Sequence, residues 1–218
     1  MTLVKLRSAL RDVLAEMSER HDAAHDLAHF DRVWTHARTI AHGEDFAPSG
    51  VLLCAVYLHD LITLPKDHPK RGQSAAMSAV SAGPIMDALG MTPSEIARAR
   101  HAIEAHSWSG TAVPQSAEAR ILRDADRLEA LGAIGIARCF AVSGALDRPL
   151  FDGADPFATA RPVDDSRFAL DHFAAKLMKL PQGFLTATGR KLAEDRVAVM
   201  RRYLSDLARE LGVPAPDW

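Results

Sequence analysis

The chain has 218 residues, 48% of them hydrophobic and 25% charged, which is the balance of a globular protein long enough to bury a sizeable core. Its 26 Lys and Arg residues and 28 Asp and Glu residues give a net charge of −2, which excludes a general attraction to nucleic acid or to an anionic membrane. No apolar run reaches the roughly 18 residues of a membrane span, and the N-terminus lacks the apolar segment of a signal peptide, so we expect a cytoplasmic protein.

Apolar residues recur with helical spacing along almost every long segment, beginning with Leu3, Leu6 and Leu10. The predicted helices cover, in chain order, residues 3–17, 26–43, 49–62, 72–89, 93–107, 117–143, 166–179 and 186–211. No segment shows the alternation of a β-strand. The sequence therefore predicts an all-α fold, a single domain over residues 1–211 with a poorly ordered C-terminal tail at residues 212–218.

Capping residues mark the starts of two of these helices. Ser49 can cap the third helix, and Thr92, followed by Glu95 at the third helical position, has the form of a capping box. Pro84 lies inside the fourth helix, which it should kink or divide, because proline lacks the amide proton that the helix needs.

The second half of the chain contains the one long irregular stretch, residues 147–165, which we interpret as a lid or a linker. Upstream of it, Gly132 and Gly135 either allow a neighbouring backbone to approach closely or simply weaken their helix. Cys54 and Cys139 lie in separate apolar stretches, so we expect reduced core residues and no disulfide framework.

The dipeptide His59–Asp60 ends a continuous apolar run, residues 51–58. Burial of a charge costs several kcal/mol unless a partner compensates it, and a metal ion is an economical partner for an imidazole beside a carboxylate. His29 shares a helix face with core-directed residues, and Asp126 lies within another helix dense in apolar residues. These residues could complete a metal site, although each taken alone could be a buried, hydrogen-bonded structural group.

The order His29, His59–Asp60, Asp126 resembles the H…HD…D arrangement of the HD-domain metal-dependent phosphohydrolases. The resemblance extends over about residues 20 to 210, and the segments around these residues look like those of the bacterial subgroup that contains small nucleotide pyrophosphohydrolases. The segments that carry it are His29–Trp34, His59–Pro69, Ala102–Ser107 and Asp124–Gly135.

The resemblance implies a helical bundle with a metal site between core helices and the ligands His29, His59, Asp60 and Asp126. Asp124 competes with Asp126 for the last position, and we favour Asp126 because the family ligand usually stands in an Ala-Asp pair. Two imidazoles and two carboxylates suit Mn²⁺, Mg²⁺, Fe²⁺ or Co²⁺, and Mn²⁺ is the first choice. The adjacent pair of histidines found in two-metal relatives is absent, which argues against a second ion.

The implied reaction is attack of water on a phosphorus of a nucleotide, with Asp60 or Asp126 holding the water. We expect His106 to contact a phosphate or donate a proton, and we interpret His101 as structural. Cationic and imidazole groups should bind the phosphate oxygens, and the candidates are Arg32, Lys66, His68 and Arg127. We also count Lys66 as catalytic, together with Asp60 and His106. Lys66 could equally be a solvated lysine in a loop, and the two arginines could instead form structural ion pairs.

The leading functional hypothesis is a metal-dependent (deoxy)nucleoside triphosphate pyrophosphohydrolase with a small-molecule nucleotide as its partner. A nucleoside monophosphatase or cyclic-nucleotide phosphodiesterase is the second hypothesis, but monophosphatase relatives often carry Glu where this chain has Thr63. A helical module that binds metal and nucleotide without turnover is the third. Assembly into a homo-oligomer stays open.

Overall fold

The computed structural model describes residues 1–17, 27–64, 68–108 and 110–218. Within these ranges the chain forms nine α-helices, short 3₁₀ turns and no β-strand, which confirms the all-α class. The helices are α1 Leu3–Glu16, α2 Leu27–Gly43, α3 Gly50–Leu58, α4 Ser74–Ala88, α5 Pro93–His106, α6 Ala117–Arg127, α7 Gly132–Ala145, α8 Asp171–Ala175 and α9 Ala187–Leu211.

The helices belong to two compact units, Met1–Asp126 and Arg127–Trp218. The first unit contains α1–α5 and all of α6 except its last residue, and the second contains α7–α9. The assignment of residues 1–211 to a single domain stays a prediction.

Helix α3 is the central element of the first unit. All eight of its residues from Val51 to Leu58 are buried, and the helix packs against α1, α2, α4 and α5. Each large apolar side chain buried there contributes about 1.5–3 kcal/mol, which explains why the run has no polar face. Ser49 caps the helix as predicted, accepting a hydrogen bond from the Leu52 amide at 3.2 Å. The prediction that α3 continues to Ile62 is wrong, because the helix ends at Leu58 and Asp60 lies in a turn.

Asp31 on α2 ties three helices of the first unit together. Its carboxylate accepts hydrogen bonds from Arg7 of α1 at 2.8 Å, from the Tyr57 hydroxyl of α3 at 2.6 Å and from Arg11 of α1. Burial alone would raise the pKa of Asp31, but the hydrogen bonds from Arg11, Tyr57 and Arg7 outweigh burial and lower that pKa below its ordinary value. The ionised carboxylate therefore stabilises the folded protein.

The starts and interiors of α4 and α5 follow most of the sequence signals. Thr92 and Glu95 form the predicted capping box at the start of α5. Pro84 lies inside α4, which continues through it to Ala88, so the prolyl ring does not divide the helix. Cys54 is buried in α3, where burial raises the pKa of its thiol to about 12, and neither cysteine is in a disulfide.

The predicted single helix over residues 117–143 is wrong, because the backbone breaks between α6 and α7. Residues 128–130 form a 3₁₀ turn, and Gly132 has a φ of +71°, a conformation that L side chains rarely adopt. The second glycine, Gly135, is required for close packing, since a methyl group at its Cα would overlap the carbonyl group of Ala130. Close backbone approach, one of the two alternatives considered, is therefore the reason for Gly135.

Residues 147–165 are irregular, as predicted, and their side chains hold them against the start of α8. Arg161 donates two hydrogen bonds to the buried carboxylate of Asp171, at 2.6 and 2.8 Å. The predicted helix over residues 166–179 is mostly wrong, because only α8 is α-helical and a 3₁₀ helix follows it from Leu177 to Gly183. The tail also departs from expectation, since the Trp218 indole donates to the carbonyl of Phe157 at 3.3 Å.

Helix α9 fits its prediction at both ends. Thr186 caps its start, with the hydroxyl oxygen accepting from the Gly189 amide at 3.0 Å, and Gly212 ends it with a φ of +68°. Among the residues that the structure describes, no single helix has both the length and the apolar composition of a membrane span, and only the broken pair 117–130 and 132–145 meets both criteria jointly.

The contact at Gly135 predicts a large effect of a single methyl group. Gly135→Ala should lower the free energy of unfolding by about 1–3 kcal/mol, because the backbone of the preceding turn has to move. Gly144→Ala is the matched control, since Gly144 lies in the same helix with open space around its Cα, and this change should be neutral or slightly stabilising. Urea unfolding of both variants tests this, and equal stabilities would contradict the packing described for Gly135.

The Asp31 network predicts a pH-dependent loss of stability. Asp31→Asn should lower the free energy of unfolding by about 1–2 kcal/mol near pH 7, because hydrogen bonds to a charged acceptor are replaced by weaker ones. Since folding lowers the pKa of Asp31, the wild-type advantage is complete above the unfolded pKa of about 3.9 and is lost as the pH falls through the folded value.

Urea unfolding between pH 7 and pH 3 measures that difference, with the exposed Asp12→Asn as the control on α1. A wild-type advantage that grows on acidification, or that is equally large for Asp12→Asn, would contradict the role given to Asp31.

Candidate metal centre

The ends of four helices of the first unit supply the side chains of the candidate metal centre. His29 lies in the first turn of α2, and His59 is the residue that caps the C-terminal end of α3, followed directly by Asp60. His106 is the last residue of α5, and Asp126 is the last residue but one of α6. The carbonyl ends of α3, α5 and α6 carry partial negative charge, which favours a cation beside them.

His29, His59 and Asp126 form the first of two overlapping groups. The Nε2 atoms of His29 and His59 each lie 3.7 Å from Oδ1 of Asp126. Both imidazoles are at most 1% exposed, whereas the carboxylate is 29% exposed and can be reached from solvent. The group therefore consists of two buried imidazoles and the partly exposed carboxylate of Asp126.

His59, Asp60 and His106 form the second group. Oδ2 of Asp60 lies 3.4 Å from Nε2 of His59, and Oδ1 lies 3.5 Å from Nε2 of His106. The two imidazole rings are nearly perpendicular, at 83°, with centroids 4.7 Å apart. The structure therefore brings together the four residues of the H…HD…D pattern and adds His106 to them.

Backbone carbonyls fix the orientation of two of the imidazoles. Nδ1 of His59 lies 2.7 Å from the carbonyl oxygen of Val56, and Nδ1 of His106 lies 2.5 Å from that of Ile103. A carbonyl only accepts, so each Nδ1 carries the hydrogen and each neutral ring has its lone pair on Nε2. Both lone pairs are then on the side of Asp60, which is the arrangement of metal-binding histidines with an outer hydrogen-bond partner.

The carboxylates make this pocket strongly favourable for positive charge. Burial lowers the pKa of the His59 imidazolium, but the charges of Asp60 and Asp126 outweigh burial and raise that pKa from 6.5 to about 9. Burial raises the pKa of Asp126, but the neighbouring imidazoles, His59 first among them, lower it by more. A proton on His59 is thus one cation that satisfies the group, and a divalent ion is another.

Within each group the donor atoms lie close to the separations of atoms that share a divalent ion. Donor atoms about 2.1 Å from a common ion lie about 3.0–3.4 Å from one another, and the separations here are 3.4–3.7 Å. The completely buried Nε2 of His59 has no hydrogen-bond partner among the described residues, so its lone pair remains available to an ion. Both groups share this single atom, which favours one ion at His59.

The other predicted site residues have diverse environments. Asp124 is fully buried and belongs to neither group, so of the two competing aspartates it is Asp126 that lies with the imidazoles. His68 accepts a hydrogen bond from the amide of Lys70 at 3.1 Å, and Arg32 is half-buried on α2. Arg127 is buried and donates to the carbonyl of Gly183 at 2.6 Å. The roles of these three as phosphate ligands stay predictions.

Lys66 lies outside the described residues, so its predicted place in the site also stays a prediction.

Sequence reasoning missed the residue that holds the segment after Asp60. The buried Ser78 of α4 accepts a hydrogen bond from the amide of Ile62 at 3.0 Å and lies 3.4 Å from its carbonyl oxygen. Arg71 donates to the carbonyl of Leu64 at 2.8 Å. A serine among alanines in a helix gives no sequence signal for such a contact, because the contact joins residues 16 positions apart.

The comparisons with known proteins agree with this geometry. The family model of the HD domain matches residues 26–131, which include every residue of both groups. The uncharacterized protein YpgQ of Bacillus subtilis is 28% identical over 214 residues, covering 95% of this chain and 92% of YpgQ.

Two solved structures are similar over nearly the whole chain. The crystal structure of YpgQ in complex with ADP superposes with a TM-score of 0.69 at 29% identity, covering 98% of this chain and 96% of YpgQ. An HD-superfamily hydrolase from Bacillus thuringiensis superposes with a TM-score of 0.73 at 26% identity, covering 96% of this chain and 98% of that one. Residues 26–131 of this chain therefore form an HD domain, and the chain is similar in fold to an HD-superfamily hydrolase.

Proposed function

We propose that this chain hydrolyses a phosphoanhydride bond of a (deoxy)nucleoside triphosphate and releases pyrophosphate, with one divalent ion as cofactor. The observation that carries the proposal is that His59 lies close to His29 and Asp126 in one group and to Asp60 in the other, at the ends of the three helices α2, α3 and α6. Mn²⁺ is the preferred ion, and the mixed nitrogen and oxygen donors also suit Mg²⁺, Fe²⁺ or Co²⁺.

The proposed ligands are His29, His59, Asp60 and Asp126. A divalent ion bound by them would lower the pKa of a water molecule and neutralise charge on a phosphoryl oxygen. Asp60 has a second task, because its two carboxylate oxygens are directed at different imidazoles, Oδ2 at His59 and Oδ1 at His106. Oδ1 can therefore accept a proton from the attacking water.

The bonds that change are those of the α-phosphorus. The oxygen of water forms a bond to this phosphorus, the bond to the bridging oxygen breaks, and the electron pair leaves with pyrophosphate. His106 is held by Ile103 and is 6% exposed. Its Nε2 lies 3.5 Å from Oδ1 of Asp60, so it can take up the proton that Asp60 accepts from water and pass that proton to the leaving phosphate. Lys66, Arg32, His68 and Arg127 are the proposed cationic and imidazole contacts of the phosphate chain.

The nucleotide class is supported by similarity and by the donor set. YpgQ, 29% identical to this chain, has been crystallised in complex with ADP, a nucleotide that contains a phosphoanhydride bond. The absence of a glutamate at position 63, where this chain has Thr63, counts against the monophosphatase hypothesis. A nucleoside triphosphate is then the substrate that offers pyrophosphate as a leaving group.

The ligand assignment predicts different effects of two similar substitutions. Asp126→Asn should lower the bound metal well below one ion per chain and lower kcat by at least about 100-fold, because a charged ligand is replaced by a neutral one. Asp124→Asn is the matched control, two residues away in the same helix. It should retain the metal even if burial of the altered side chain lowers stability.

Metal content after dialysis, measured by inductively coupled plasma mass spectrometry, distinguishes the two variants. Asp60→Ala should also lose both metal and activity while its helical circular dichroism is retained. Loss of metal from Asp124→Asn with retention in Asp126→Asn would overturn the assignment.

Product analysis tests the reaction itself. Incubation of the purified chain with Mn²⁺ and a panel of nucleotides should yield nucleoside monophosphate and pyrophosphate in equal amounts, measured by ion-exchange chromatography. In H₂¹⁸O the label should appear in the nucleoside monophosphate, because attack takes place at the α-phosphorus.

Release of orthophosphate from a nucleoside monophosphate, or opening of a cyclic nucleotide, would favour the second hypothesis. Stoichiometric metal and nucleotide binding without any product would favour the non-catalytic module.

A further inference from the structure

A large and mostly exposed aromatic side chain, Trp108, follows shortly after His106 of the candidate metal centre in the chain. Trp108 is 60% exposed, whereas Trp34 in the core is only 5% exposed. Two residues separate it from His106, so the two Cα atoms are at most about 7 Å apart. A scattered exposed apolar residue needs no explanation, but an indole at the edge of a polar site is a typical ligand contact.

The segment that carries Trp108 leaves α5 just before this residue and contacts α5 and α6 again at Pro114 and Gln115. On its N-terminal side the chain leaves α5 at Ser107, whose backbone is extended with φ −63° and ψ 139°. On its C-terminal side, Nε2 of His101 accepts a hydrogen bond from the amide of Gln115 at 3.2 Å, and Arg120 reaches the carbonyl of Pro114 at 3.5 Å. These bonds join the end of the segment to α5 and α6, the two helices that supply His106 and Asp126.

We propose that Trp108 binds the base of the nucleotide by stacking, with the phosphates at the metal centre. This inference rests on the function proposed above, because it assigns the two ends of the same substrate to two parts of the site. Trp108 is then a binding residue that contributes to KM, and the chemistry at phosphorus remains with Asp60 and its neighbours.

The chemistry of the two surfaces fits the two ends of a nucleotide. The metal centre combines imidazoles and carboxylates that can hold a cation and hence phosphate oxygens. An indole offers a flat π-face that stacks on any of the bases, so it binds a base without requiring a particular one. When water attacks the α-phosphorus, only the sugar separates the reacting atom from the base. A site for the phosphates at His106 and a site for the base at Trp108 should therefore be close together, and these two residues are two positions apart in the chain. The substrate class implied is a nucleoside triphosphate with little selectivity among bases.

Kinetics of Trp108→Ala, Trp108→Phe and a control test the inference. The control is Val113→Ala, which trims another exposed apolar side chain, 67% exposed, from the same segment. The substrates are deoxyadenosine triphosphate and methyl triphosphate, which keeps the α-phosphoester but has no base. Trp108→Ala should raise KM for the nucleotide about tenfold with kcat within about twofold, since loss of one stacking contact has about that effect.

The remaining variants separate stacking from a general structural role. Trp108→Phe should keep KM close to the wild-type value, Val113→Ala should leave it unchanged, and all variants should hydrolyse methyl triphosphate as the wild type does. An unchanged KM of Trp108→Ala for the nucleotide, or an equal loss on methyl triphosphate, would overturn the inference.

Tryptophan fluorescence measures stacking of the base even if the chain hydrolyses no nucleotide. Titration of an α,β-methylene analogue of deoxyadenosine triphosphate in Mg²⁺ should quench tryptophan emission of the wild type, and this quenching should be largely lost in Trp108→Phe. A wild type that hydrolyses no nucleotide but shows this difference would refute the proposed reaction and retain the stacking. Equal quenching in both proteins, or none in either, would refute the stacking whatever the activity.

Discussion

The structure of the site depends on one electrostatic constraint, the need of two carboxylates beside buried imidazoles for a shared cation. His59 is completely buried, and its Nε2 lies between carboxylate oxygens of Asp60 and Asp126 at 3.4 and 3.7 Å. In a region of low dielectric constant, negative charge without a counter-charge costs several kcal/mol. A proton or a metal ion among these groups supplies that counter-charge, and the match to the HD domain, which binds divalent metals, favours the metal ion.

The apolar core determines where the site lies in the first unit. Because every residue from Val51 to Leu58 is buried, α3 has no solvent side, and its C-terminal end delivers His59 into the interior. The last turns of α3 and α5 then use their unsatisfied carbonyls to orient His59 and His106 through Nδ1. The carbonyl groups at the ends of α3 and α5 thus orient both imidazoles so that the lone pairs on Nε2 of His59 and His106 can bind an ion.

The sequence predicted the elements whose signal is local or strongly periodic. The apolar run of α3, the capping box of α5 and the long α9 are confirmed because each depends on neighbouring residues. The HD domain was also predictable, since the order His29, His59–Asp60, Asp126 is specific in combination with the segments around these residues.

Features that depend on contacts between distant residues were not predictable. The break between α6 and α7 requires a positive φ at Gly132, and a helical pattern on both sides of it hides the turn. Likewise the second group at the site depends on where α5 ends, so His106 was a candidate for phosphate contact but its closeness to Asp60 was not foreseen. Hydrogen bonds of Ser78 and Asp31 join different helices, and no local pattern encodes such pairs.

Anomalous diffraction from crystals grown with Mn²⁺ tests most directly whether one cation is shared by these side chains. We expect a single strong peak within about 2.4 Å of Nε2 of His29, Nε2 of His59 and carboxylate oxygens of Asp60 and Asp126. A peak that lies elsewhere, or no peak at saturating Mn²⁺ with these side chains ordered, would contradict it.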